Sequence, residues 1–174
     1  MKLIKGALFV VTGLFIMVTL ISLLIPSRIV TARAVTVQAD SIKLFNEISD
    51  LKNWKNWHPV FKTDSTVLIF SAVTDQINST ATWTQKGKTY KIVITEKKYP
   101  LVKINLQSDG ENDIENILTL MPVQEQGNMQ VQWQAVVHLK WYPWEKFSGI
   151  FIEKMAGQGY EDALQSLKIF VENK

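Results

Sequence analysis

The sequence predicts an α+β domain in which a curved antiparallel sheet of about seven strands wraps a long C-terminal helix, carried behind one N-terminal membrane-spanning helix. Three observations predict it. Gly6 to Ile25 is an uncharged apolar run of about 20 residues, which as a helix spans roughly the 30 Å hydrocarbon core of a bilayer. Between Val67 and Trp141 apolar and polar residues alternate in short runs separated by hairpin-length turns, the signature of an antiparallel meander. From Trp144 to Val171 the apolar residues instead recur three or four apart, at Phe147, Ile150, Phe151, Met155, Leu164, Leu167 and Val171, so they share one helical face.

The elements follow in order. Met1 to Ser27 is read as the anchor with a short flank, and residues 28–174 as the domain. A cleaved signal peptide has an apolar region of only about 7 to 15 residues; the run here is longer, and cutting after the Ala32-Arg33-Ala34 triplet would remove the start of a strand. An uncleaved anchor is therefore expected. Lys2, Lys5 and the amino terminus precede the span and Arg28 and Arg33 follow it. A margin of about one positive charge places the N-terminus inside. The expectation is a single-pass protein, bacterial and in the inner membrane, with its domain outside the cytoplasm.

Ile29 to Gln38 is rich in β-branched residues and reads as a strand starting just beyond the membrane. Asp40 or Ser41 caps a short helix whose apolar residues are Ile42, Phe45 and Ile48. A second short helix holds Trp54 and Trp57 and should end near His58, because Pro59 disfavours helix at the residue before it. Strands follow at Val67 to Ser71, Ser79 to Gln85, Thr89 to Lys97, Leu101 to Gln107, Ile114 to Val123 and Met129 to Trp141, with turns at Lys86-Gly87-Lys88, Tyr99-Pro100 and Gln126-Gly127-Asn128. The terminal helix is the one long amphipathic cover available to such a sheet. Its middle, Met155-Ala156-Gly157-Gln158-Gly159-Tyr160, holds two glycines in one turn. Each costs about 1 kcal/mol against alanine, so the pair implies a kink, a close backbone contact or space left for something else.

Charge excludes one function class. Of 19 Lys and Arg, four lie before Val35 and none of the 16 Asp and Glu does, leaving 15 basic against 16 acidic residues in the rest. A surface that grips phosphates needs a clustered positive surplus, so no nucleic-acid partner is expected. The chain has no cysteine and two histidines, His58 and His138; with no ligand spacing between them, neither metal nor other cofactor is expected. Asp109, Glu111, Asp113 and Glu115 read as a solvated turn.

The order strand, two short helices, meander, long helix resembles the START-like (SRPBCC) helix-grip superfamily, specifically its polyketide cyclase/dehydrase-like branch. The residues that carry the resemblance are Leu44-Phe45-x-x-Ile48-x-Asp50-x-x-x-Trp54-x-x-Trp57-x-Pro59, then Met155-x-Gly157 and Ala163 to Lys168. It extends over Ile29 to Lys174 and departs at Ala39-Asp40-Ser41, where members often carry proline. The resemblance implies a deep, mostly apolar cavity between sheet and terminal helix that holds lipids, polyketides or other hydrophobic molecules. It does not imply an enzyme.

Aromatic mass fits that implication. Trp54, Trp57, Trp83 and Trp133 are expected to line the cavity from the short helices and the sheet, and Phe151, Met155, Gly159 and Tyr160 from the terminal helix. Trp141-Tyr142-Pro143-Trp144, at the strand-to-helix corner, reads as a plug, a cavity lip or an aromatic contact with the membrane interface. Three readings follow: a membrane-tethered binder of a lipid or similar apolar molecule; a cyclase or dehydratase using His58 or a buried carboxylate as acid and base; and a structural or sensing domain with a filled core.

Overall fold

A computed structural model describes residues 2–63, 67–123 and 127–173, except the side chains at 2, 150 and 152–156. Helix α1 (Lys2–Ser22) leads through Leu23 to Ser27 into strand β1 (Arg28–Gln38). Asp40 then caps α2 (Ser41–Ser49), its carboxylate accepting from the amides of Ile42 at 3.1 Å and Lys43 at 2.9 Å. This satisfies two of the donors a helix start leaves open.

Two single-turn helices follow, α3 (Trp54–Trp57) and α4 (Pro59–Lys62). The sequence reading stops the helix near His58 and misses α4. His58 takes extended backbone at ψ 123°, as the residue before a proline prefers; Pro59 then occupies the first position of a new turn, where its missing N–H costs nothing. His58 thus ends one helix and starts the next.

The meander runs β2 (Leu68–Phe70), β3 (Thr80–Gln85), β4 (Lys88–Lys98), β5 (Leu101–Ser108), β6 (Ile114–Pro122) and β7 (Asn128–His138). Strand order is β1-β7-β6-β5-β4-β3-β2, every neighbour antiparallel. β1 pairs with β7 over its full length, from Arg28 opposite His138 to Gln38 opposite Asn128. Lys86 and Gly87, both at positive φ, close the two-residue β3–β4 hairpin. A register shift between Ile94 and Glu96 leaves Thr95 as an extra residue on β4, which bends the strand and deepens the curvature of the sheet. The turn expected at Gln126 lies partly outside the described residues. β7 ends at His138 rather than at Trp141, because the ladder with β1 stops where β1 begins; Leu139 donates its amide to the Ser27 carbonyl at 2.7 Å instead.

Helix α5 (Pro143–Glu172) is unbroken across both mid-helix glycines and lies against the sheet along β1. Its Ala163, Leu164 and Leu167 are buried against Val35, Val37, Leu118, Leu120 and Val131 of the sheet and Leu44 and Ile48 of α2. Each fully buried leucine contributes about 1.5–3 kcal/mol. The architecture is the helix-grip arrangement that the sequence pattern implies.

Candidate functional site

A cavity of about 250 Å³ lies between the sheet, the α3–α4 turns and the middle of α5. The short helices supply Trp54, His58, Val60 and Phe61; the sheet supplies Trp83, Ile92, Ile104, Leu106, Asn116 and Trp133; α5 supplies Gly159 and Tyr160. The strand residues reach it because period-two alternation turns Ile92, Ile104, Asn116 and Trp133 to the concave face.

The glycines explain why space remains there. A Cβ built on Gly159, an exposed position that lines the cavity, meets no atom of the described residues within 4 Å, so the helix backbone borders an open cavity mouth there. At Gly157, two residues earlier, a Cβ runs into the Arg33 guanidinium from the concave face of β1. Arg33 also lies 4.0 Å from the Glu161 carboxylate. A Cβ built on Gly149 likewise runs into the Leu139 side chain and falls 2.6 Å from the Ile29 δ-methyl. One helix thus carries two glycines of close contact and one of open space.

The polar groups of the wall are few. His58 is boxed by aromatic rings: Trp54 stacks on it with centroids 5.1 Å apart, and Phe61, Trp57 and Trp133 stand at 5.2, 5.5 and 5.9 Å. Burial lowers its pKa from 6.5 to about 4, because an apolar surrounding penalises the imidazolium. The ring is therefore neutral at pH 7. Burial likewise pushes the Tyr160 phenol up to about 12. Trp133 Nε1 donates to Asn116 Oδ1 at 3.0 Å, and Asn116 Nδ2 to the Ile114 carbonyl at 3.1 Å. His58 Nδ1 and Trp83 Nε1 are buried without a hydrogen-bond partner among the described residues. Among the described residues, no Asp, Glu, Lys or Arg lines the cavity and no three metal-ligating side chains gather.

Of the residues singled out in the sequence, Trp54, Trp83, Trp133, Gly159, Tyr160 and His58 line this one cavity. Trp57 is fully buried behind it, 5.1 Å from Trp54, its Nε1 donating to the Glu47 carbonyl at 3.2 Å. Phe151 points to solvent, 63% exposed, and is not among the lining residues; its stretch of α5 lies before the helix reaches the cavity. The Met155 side chain lies outside the described residues. Asn116 escapes the sequence reading although it carries a signal, being the one polar residue in the inward phase of Ile114, Asn116, Leu118 and Leu120.

No protein-family model and no curated protein matches the chain by sequence. Solved structures match by fold. The chain is similar to a START superfamily protein from Mycobacterium smegmatis, at 18% identity and a TM-score of 0.62, over 83% of this chain and 97% of that one. It is similar to norcoclaurine synthase from Thalictrum flavum, at 12% identity and a TM-score of 0.64, over 84% and 88%. It is also similar to a protein of the dynemicin biosynthetic locus, at 12% identity and a TM-score of 0.59, over 82% of this chain and 47% of that one. The fold is that of the START-like, helix-grip proteins. At these identities the likeness is one of fold.

Proposed function

We propose that the chain is a membrane-anchored binding protein for a small apolar molecule, with residues 1–27 as anchor and residues 28–174 as binding domain. The observation that carries the reading is Gly159, where the gripping helix leaves its sheet uncovered over a cavity walled by Trp54, Trp83, Trp133 and Tyr160. A helix glycine costs about 1 kcal/mol against alanine, and at this exposed position it keeps the cavity mouth clear. The neighbours by fold include a START superfamily protein and proteins of small-molecule biosynthesis, in keeping with a cavity put to use.

The wall suggests the ligand's character. An engineered cavity of roughly 150 Å³ takes up benzene, so about 250 Å³ suits a compound of one or two rings, or a short acyl segment, better than a whole phospholipid. Aromatic faces favour a flat or ring-bearing ligand. The unpartnered Trp83 Nε1 favours an oxygen acceptor on it, since an unsatisfied buried donor costs about 1–3 kcal/mol.

The cyclase or dehydratase reading meets two obstacles. Among the described residues the cavity wall offers no carboxylate or amine. Its histidine, at about 4, is a weak base where catalysis at neutral pH favours a group near 7. Binding without turnover is the reading the wall supports. One described helix, Leu3–Ser22, is long and apolar enough to cross a membrane, and no residue of its most apolar stretch is buried by the domain; together with the positive margin before it, this supports an anchor with the domain outside the cytoplasm.

Native mass spectrometry of the full chain released from detergent tests the reading. An apolar adduct that leaves on mild activation is expected. A bare chain that also takes up no environment-sensitive apolar dye would count against it.

A further inference from the structure

The first turns of α5 are fastened to the end of the anchor. Lys146 is only 3% exposed; its ammonium donates to the Ile25 carbonyl at 2.8 Å and to Ser27 Oγ at 2.5 Å. Leu139, at the end of β7, donates its amide to the Ser27 carbonyl at 2.7 Å. Leu24 and Ile25 donate to the carbonyls of Ile21 and Ser22 at 3.1 Å each, so the exit of α1 is wound tight rather than extended. Gly149 brings α5 into close contact with Ile29 and Leu139 at the same corner. With both ends of the connection held, the domain does not swing on a loose tether. The start of α5 stands level with the C-terminal end of α1.

At that level the surface is aromatic and bare. Trp141 and Trp144 are each 64% exposed and Phe151 is 63% exposed, with Phe147 partly so. Trp144, Phe147 and Phe151 stand at i, i+3 and i+7, one helical face, and Tyr142 stacks on Trp144 with centroids 5.0 Å apart. Leu23 and Leu24, at the end of the anchor, are exposed too. Two bare tryptophans on an aqueous surface would forgo burial of large apolar area, whereas tryptophan and tyrosine collect at the boundary between acyl chains and headgroups.

The geometry points to Trp141, Trp144, Phe147 and Phe151 as a membrane-docking face that enters the lipid interface beside α1 and fixes the domain's attitude on the bilayer. The inference rests on the anchoring proposed above. It commits to lipid as the occupant, because Lys146, on the opposite side of the same helical turns, ties the start of α5 to the end of the anchor, where Leu23 and Leu24 are exposed and apolar as well.

Position makes the test selective. Trp54, Trp57, Trp83 and Trp133 are buried in the core and Trp141 and Trp144 are exposed, so lipid that quenches fluorescence at the interface reads the outer pair. The full chain is reconstituted into phosphatidylcholine vesicles whose acyl chains carry bromine close to the headgroup, and is washed with alkaline carbonate. The expected result is a chain retained by the vesicles, with emission quenched in the wild type and most of that quenching lost in the Trp141→Phe/Trp144→Phe variant. Both side chains are exposed, and an unchanged thermal transition confirms that the variant folds. A retained chain with no quenching, or with quenching equal in both proteins, overturns the docking face and leaves the anchor standing. Crosslinking between two copies through position 144 in place of quenching overturns it as well. Release by carbonate overturns the anchoring and the docking face together.

Discussion

The two halves of α5 are written in the same sequence language, large apolar residues three or four apart, and they meet opposite surroundings. In the second half Ala163, Leu164 and Leu167 are sealed against the sheet and α2. In the first half Trp144 and Phe151 face outward, and it is a lysine, Lys146, that is buried. Between them, roughly 22 Å along the axis from Trp144 at 1.5 Å per residue, Gly159 opens onto the cavity. A helical stripe records that a face is apolar; what covers the face depends on where the neighbouring elements end. Here the sheet covers one half, the proposed ligand the middle, and the proposed bilayer the beginning.

Substitution within each half should break the comparison most clearly. Leu164→Ala, at a sealed position, is expected to lower the unfolding free energy by about 3 kcal/mol, measured by denaturant titration of the full chain in micelles. Phe151→Ala removes a larger side chain and should shift the same titration by less than about 0.5 kcal/mol. Equal losses would mean that the two halves are packed alike.

An effect of similar size is expected from pH on the cavity side. The folded His58 has a pKa of about 4 against 6.5 for the ordinary group, so the unfolded chain takes up a proton at a pH where the folded chain does not. Stability from this residue is full above about pH 6.5 and falls as pH drops towards 4, by about 3 kcal/mol in all. His58→Phe should flatten that part of the pH profile; a slope that survives would assign it to other groups.

A smaller contrast separates the glycines. Gly149→Ala places a methyl against Leu139 and Ile29, and overpacking of this kind costs about 1–3 kcal/mol before the helix gain is counted. Gly159→Ala meets open space and should stabilise the fold by up to about 1 kcal/mol. Differential scanning calorimetry reads both, and a Gly159→Ala protein that melts earlier than the wild type would contradict the open backbone.

The strand runs, the Asp40 cap and the Lys86-Gly87 hairpin were legible because each has a local physical signature: alternation, a carboxylate before two free amides, and a lysine-glycine pair at positive φ. Helix α4 was not, since four residues are too few for a period, and the proline that starts it also ends the turn before. The alternation continues past His138 to Leu139 and Trp141, so it could not reveal that the β1 ladder had run out. In the site, residue type pointed to Trp54, Trp83 and Trp133, but whether a tryptophan forms the wall or backs it, as Trp57 does, depends on packing across elements far apart in the chain. Phe151 was drawn into the cavity by its place in the apolar stripe. The two mid-helix glycines look alike in sequence; Arg33 on the concave phase of β1 makes one a contact, and no described residue stands within 4 Å of a Cβ on the other.

That difference carries the central claim, and Gly159→Leu tests it most directly. Titrating an apolar fluorescent dye into the full wild-type chain and into the variant, at matched thermal stability, should show saturable uptake by the first and none by the second, because the leucine side chain occupies the cavity. Undiminished uptake by Gly159→Leu would show that the dye binds elsewhere, and would contradict the assignment of the space over Gly159 as the binding site.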